Sequence, residues 1–306
     1  MSVDVLQEKI RQKKNPAMIA LGPTPEPIPP ALLAQARETR EQTLPALALA
    51  AETYCMELLE RLRDLVPAVC FRATAFWAMG GDGTAALCRL LGQAREMGYY
   101  VILDAMASIP GSAGDFFAQA VLGGISADGA RTELYPCDGV TLNAYCGSDA
   151  IRPYLPFLRG EEPKTVSLLL HSANRSSGEV QDLISGDRVV HTAVADLAMR
   201  WSTDLFGRNG YSQILAVVGA QNGPALEQLR RKYDRLFYVV SGYGMSGNNA
   251  KNASYAFDRL GHGAIVSGGS AITGAWRQSE GEDYLAAARQ AAERMRKNIL
   301  NYITVL

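Results

Sequence analysis

Tyr99-Tyr100-Val101-Ile102-Leu103-Asp104-Ala105-Met106-Ala107-Ser108-Ile109-Pro110-Gly111-Ser112 opens as a continuous apolar run of strand length and ends in a Ser, Pro and Gly turn. The helical pattern of Ala113 to Leu122 follows, so the stretch predicts a strand, a loop and a helix. Asp104 falls at the carboxyl end of the strand. A buried carboxylate is costly unless it is paired or hydrogen-bonded, so this position needs a partner or a solvated mouth.

Outward from this unit the same grammar repeats. A charged helix at Asp4 to Lys13 precedes a first strand, Ala17 to Leu21, which stops at a loop, 22–30, holding five prolines between Pro23 and Pro30. Ala31 to Leu65 is helically patterned, with an interruption near Thr43-Leu44-Pro45, and Pro67 to Phe71 is a second strand. Gly80-Gly81-Asp82-Gly83 is expected to cap a helix from Thr84 to Met97. Further strands are expected at Gly139–Asn143, Val166–Leu170, Ile214–Val218, Leu236–Val240 and Gly263–Val266. Helices are expected from Ser148 to Leu158 and from the end of a polar loop at His171 to Gly178 as far as Phe206, and a terminal helix runs from about Glu282 to Asn301.

Eight buried apolar strands separated by helices predict a parallel sheet, because parallel strands need crossovers and are covered on both faces. The expected fold class is α/β, a single-domain (β/α)8 barrel over residues 1–306, with an open dinucleotide-binding sheet as the second choice. No G-x-G-x-x-G follows the first strand, which weighs against the second choice.

A chain of 306 residues with 48% hydrophobic content can bury such a barrel. Thirty basic and thirty-one acidic residues leave a formal charge of -1, so nothing points to nucleic acid or an anionic membrane. A small molecule or a second copy of the chain is the expected partner. Cys55, Cys70, Cys88, Cys137 and Cys146 lack the close pairing of metal or redox motifs, and an odd count fits a reduced protein. No run approaches the ~18 apolar residues of a membrane helix and no apolar signal core opens the chain, so a cytoplasmic location is expected.

Three blocks carry a resemblance: Asp138-Gly139-Val140-Thr141-Leu142-Asn143-Ala144-Tyr145-Cys146-Gly147-Ser148-Asp149, Ser176-Ser177-Gly178-Glu179-Val180-Gln181-Asp182-Leu183 and Ser241-Gly242-Tyr243-Gly244. With the opening stretch they resemble the orotidine 5'-phosphate decarboxylase family, in its bacterial long-chain branch, from Met18 to Val305. The resemblance implies a homodimeric barrel of pyrimidine biosynthesis that uses no cofactor. It further implies a catalytic lysine after the third strand, within an array of alternating charges. Here Asp104 keeps one place of that array, while Cys70, Met106 and Ile109 occupy the others. Met106 stands where the proton-donating lysine is expected.

The ligand positions thin out in the same way. By resemblance Asn143, Asn174, Gly242, Gly244 and Gly247 remain as substrate-binding positions. Gly22 replaces an aspartate that holds the ribose, Ala173 a serine at the pyrimidine, Ser246 a glutamine and Ser270 an arginine at the phosphate. Ala113 replaces a threonine and Trp77 a glutamate. Decarboxylation leaves a carbanion with little resonance help, so a nearby ammonium must stabilise and protonate it. A thioether does neither, and no lysine occurs between Lys14 and Lys164. Arg72 stays protonated and is no proton donor.

Other groups have structural readings beside functional ones. Asp104 is either a surviving ligand-binding acid or a carboxylate bonded to loop amides. The Gly242 to Gly247 loop is either an anion cradle or a tight turn. Cys70, Asp104 and His171 end three strands and would form a nucleophile, base and orienter if they met. Phe71, Phe76, Trp77 and Met79 read as packing. His191 and His262 show no metal-ligand spacing, and no metal is expected. Three functions stay open: a catalytically degenerate relative that binds or regulates, an active decarboxylase making uridine monophosphate, or a repurposed enzyme acting on an unphosphorylated substrate.

Overall fold

The computed structural model describes residues 1–41, 43–245, 249–278 and 283–305. Its strands, numbered in chain order, are β1 (Ala17–Leu21), β2 (Ala68–Arg72), β3 (Tyr100–Asp104), β4 (Gly139–Leu142), β5 (Thr165–His171), β6 (Ile214–Gly219), β7 (Phe237–Tyr243) and β8 (Ala264–Gly268). Each pairs in parallel with its sequence neighbours, and β1 pairs with β8, so the sheet closes into the expected barrel.

Alternation along the strands divides the side chains between two layers. Met18, Ala68, Tyr100, Ile102, Leu215, Val217, Phe237, Val239 and Ile265 form one buried cluster with Val3, Leu6 and Ile10 of the first helix, α1 (Ser2–Lys13). A larger cluster joins the opposite strand faces to the surrounding helices, including α2 (Pro30–Thr39), α3 (Thr43–Leu62) and α4 (Gly80–Glu96). Pro45 sits in the first turn of α3, where its missing N–H costs nothing, so it marks a helix start. Phe71, Phe76 and Met79 are buried in the larger cluster and Trp77 packs against it.

The helix lying against β3 begins at Gly80, four residues before the expected Thr84, so the glycine run forms its first turn and does not cap it. The predicted helix ending near Phe206 is shorter, α5 (Val190–Trp201). Ahead of it come a four-residue helix, Gly178–Gln181, and a small hairpin pairing Ile184–Ser185 with Arg188–Val189. A second hairpin, Ile125–Ala127 with Ala130–Thr132, precedes β4. The segment predicted as one helix to Leu158 is mostly 3-10, as Pro153 and Pro156 favour. The last helix runs from Tyr284 to Leu300, and the expected start at Glu282 lies outside the described residues.

The Pro-rich segment is anchored at the mouth end of the barrel. Ile28 is buried, and the Trp276 indole N–H donates to the Pro27 carbonyl at 3.0 Å.

Candidate functional site

The strands' carboxyl ends open onto two adjoining cavities of about 290 and 280 Å³. Shared walls at Ala20, Arg72, Ser241, Gly242, Met245 and Ser267 make them one mouth. The first reaches down to Met18, Leu169, Val217 and Val239, so its floor is apolar.

Asp104 enters this apolar floor as the end of β3. Its register partner on β2 is Arg72, and the guanidinium Nε stands 3.8 Å from Asp104 Oδ2. That is an ion pair and too long for a hydrogen bond. Asp104 Oδ1 is buried with no hydrogen-bond partner. Burial lifts the carboxyl above its ordinary pKa, and the Arg72 charge pulls it the other way. Gly22 lines the same wall, and a Cβ there would come within 3.1 Å of the Arg72 Cβ. The position expected to hold the ribose is therefore the space beside the Arg72 side chain.

Met106 lines the cavity in left-handed backbone, φ 51, with its N–H donating to the Thr141 carbonyl at 2.9 Å. A non-glycine residue in that region is held there by its surroundings. Ile109 is 49% exposed and does not line the cavity. Among the described residues no lysine lines either cavity.

The other expected positions separate. Cys70, Ala173, Asn174 and Gly242 line the inner cavity, and Gly22, Gly242 and Ser270 the outer one. Gly244 lines a neighbouring cleft on the outer side. Ser246 and Gly247 lie outside the described residues. Asn143 is exposed and turned to local duty: its side-chain oxygen accepts from the Tyr145 N–H at 3.0 Å, capping a 3-10 turn, and it lines neither cavity. The structure thus places Asn143 apart from the other expected ligand positions. The Asn side chain is ideal for such a cap, and the cap outcompetes the mouth.

The three-residue set of Cys70, Asp104 and His171 does not assemble. Cys70 and Asp104 share the cavity, whereas His171 is absent from its lining and bonds to Asp182, with His191 beside it. The register of β5 against β6 slips between Val217 and Val218, so His171 pairs with Val218 and Leu170 is the extra residue. Burial also pushes the Cys70 thiol well above its ordinary pKa, and Asp104 adds to the shift, which leaves the thiol protonated and unreactive. His171 and His191, twenty residues apart and without metal-ligand spacing in the sequence, are brought together by the fold.

One charge escaped the sequence reading. Arg277 lines the outer cavity beside Ser270 and pairs with Glu26 of the Pro-rich loop. The mouth therefore holds two guanidinium groups, Arg72 and Arg277, beside a single buried acid. Arg277 and its partner Glu26 lie 251 residues apart, so no spacing announced the pair.

These features define a class: a closed parallel (β/α)8 barrel with a ligand-sized cavity at the strands' carboxyl ends. No family model matches the chain. It is 24% identical over 296 residues, 97% of both chains, to the orotidine 5'-phosphate decarboxylase of Caldicellulosiruptor bescii. It is 29% identical over 248 residues, 79% of this chain and 82% of the relative, to that of Clostridium perfringens strain SM101. The crystal structure of a putative orotidine-monophosphate-decarboxylase from Toxoplasma gondii superposes with a TM-score of 0.77 at 22% identity, covering 98% of this chain and 97% of the other. Over nearly its whole length the chain is thus similar to proteins named orotidine 5'-phosphate decarboxylase.

Proposed function

We propose that this chain is a catalytically degenerate member of the orotidine 5'-phosphate decarboxylase family, a cytoplasmic homodimer that binds a nucleotide-like small molecule without decarboxylating it. The observation that carries this reading is the thioether of Met106 in the cavity where an ammonium is needed, with no lysine elsewhere in the described lining. Loss of carbon dioxide from a pyrimidine places an electron pair on a ring carbon, and the rate depends on a cation that both stabilises and protonates it. Arg72 supplies charge near Asp104 but gives up no proton at any working pH.

Binding is better supported than chemistry. The inner cavity offers an apolar floor with Asn174, Asp104 and backbone at its rim, and the unpaired Asp104 Oδ1 suits a ligand N–H donor. At the outer end, among the described residues, Arg277 and Arg72 are the cations near an anionic tail, and both are paired, with Glu26 and Asp104, which weakens a phosphate site. For the dimer, the segment after β3 presents Ile109 at 49% and Phe116 at 62% exposure, an apolar surface a second copy would cover.

The active-enzyme reading has the names of the relatives behind it and makes the opposite prediction. Purified protein and its Met106→Lys variant, each incubated with orotidine 5'-monophosphate, are followed by the loss of substrate absorbance. The expected result is no turnover by the unmodified protein, alongside a thermal shift with uridine monophosphate. Turnover by the unmodified protein overturns the proposal, and the absence of any nucleotide-induced shift removes its binding half.

A further inference from the structure

Two of the chain's three histidines converge outside the mouth. His171, the last residue of β5, directs Nε2 to Asp182 Oδ1 at 3.1 Å. His191, in the first turn of α5, has Nδ1 at 3.4 Å from the same oxygen. The rings stand edge to face with centroids 5.4 Å apart. Both imidazoles are buried, while Asp182 is 46% exposed on its side chain, so the cluster is open to solvent on one side.

The hydrogen-bond accounting at His171 does not close with a neutral ring. Its Nδ1 faces the Ser172 carbonyl at 3.2 Å and its Nε2 faces the Asp182 carboxylate, two acceptors. A neutral imidazole carries a single N–H, so one ring nitrogen meets an oxygen lone pair to lone pair unless the ring carries a second proton or a metal cation lies between them. If Nδ1 donates to Ser172, the bare Nε2 and Asp182 Oδ1 form two corners of a ligand set and His191 Nδ1 a third.

The spacing fits a particular cation. Tetrahedral zinc with bonds of about 2.0–2.1 Å holds its ligand atoms roughly 3.3 Å apart. Two of the three separations here are 3.1 and 3.4 Å, and all three atoms lie within 4.8 Å of one another. Gly178 leaves room for the carboxylate, since a Cβ there would come within 2.9 Å of Asp182 Oδ2. His191 Nδ1 donates to the Gln181 carbonyl at 2.9 Å, and binding a cation through Nδ1 exchanges that hydrogen bond for the metal bond.

We propose that His171, His191 and Asp182 form a binding site for a zinc-class divalent cation that fastens the segment after β5 to the barrel. Its place in the fold gives the tether a purpose. Ser172, Ala173 and Asn174 line the inner cavity, and the Gln181 side chain accepts from the Ser172 N–H at 2.7 Å. A cation joining His171 to Asp182 and His191 locks both ends of that wall, whether or not the mouth is catalytic.

The test uses the full chain, stripped with a chelator and dialysed against zinc chloride, with bound metal measured per chain and melting followed with and without zinc. The expected result is one zinc per chain and a zinc-dependent rise in melting temperature. Asp182→Asn and His191→Gln each weaken zinc binding by about 100-fold, as loss of one ligand in three should. His262→Gln and Cys146→Ser, which alter the remaining histidine and the exposed thiol, bind as the parent does. Because Asp182→Asn also removes a hydrogen bond, the deciding quantity is the zinc-dependent increment and not the melting temperature itself. No bound zinc, binding undiminished in Asp182→Asn and His191→Gln, or binding lost with Cys146→Ser overturns the proposal.

Discussion

Two buried charges, one at each end of the barrel, are treated in opposite ways. Near the floor, Arg230 of the helix Gly223–Lys232 is 8% exposed, and all three of its nitrogens donate to carbonyls: Ala256 at 2.7 Å, Asp234 at 2.8 Å and Gly263 at 2.6 Å. The guanidinium carbon lies 4.3 Å from the centroid of the Tyr238 ring. At the mouth, the Asp104 side chain is 14% exposed, with one buried oxygen unpartnered and the other 3.8 Å from its counter-charge. Arg230 spends every donor on the fold, while Asp104 leaves an acceptor open to whatever enters. Incomplete satisfaction of a buried acid, in a chain that satisfies Arg230 so fully, marks the place where stability was not the only demand.

The comparison breaks most visibly at Arg230. Replacing it by Met strands three carbonyls, and denaturant unfolding should show a loss of about 3 kcal/mol or more. Asp104→Asn should do the reverse. An acid whose pKa is raised by folding holds its proton more tightly in the folded state, so its contribution favours the fold at low pH and is lost as pH rises through the folded value. Unfolding at pH 5 and pH 8 should find the variant stabilised by about 1 kcal/mol at the higher pH, with a flatter pH dependence than the parent. A stabilisation that is equal at both values removes the contrast.

The smallest effect belongs to an exposed pair, Asp64 with Arg289, bonded at 2.8 Å through both carboxylate oxygens. Hydrogen bonds from Arg289 hold the Asp64 carboxyl down to about 2. A depressed acid stabilises above its ordinary value and loses that contribution as pH falls toward the folded one. Arg289→Gln should return the Asp64 titration, followed by NMR, toward the ordinary carboxylate range, yet change stability by less than about 0.5 kcal/mol because solvent screens the pair.

The barrel was legible because its strands are continuous apolar runs such as Tyr100–Leu103 and Ile214–Val218, and covered parallel strands have that composition whatever the rest of the chain does. The two small hairpins were not. Ile125–Ala127 and Ile184–Ser185 are two or three residues long and exposed, too short for alternation to show. At the mouth the positions of Asp104, Cys70, Met106 and Asn174 followed from the strand ends. What stayed hidden were pairings that depend on tertiary folding or on an unforeseen hairpin. Arg277 meets Glu26 across 251 residues, and His191 reaches Asp182 only because a hairpin turns the chain between them. Asn143 misled for the opposite reason, since its partner is two residues away and local geometry claimed it first.

The floor has one more consequence, in time instead of space. Helix α1 seals it: the Val3 N–H donates to Gln213, and Gln7 accepts from the Gly263 N–H, contacts spanning 210 and 256 residues. Helix α1 therefore finds its seat only in residues made more than two hundred positions after it. Such long-range closure is entropically expensive and slow, so the nascent chain must wait, with Val3, Leu6 and Ile10 uncovered, until the eighth strand completes the ring.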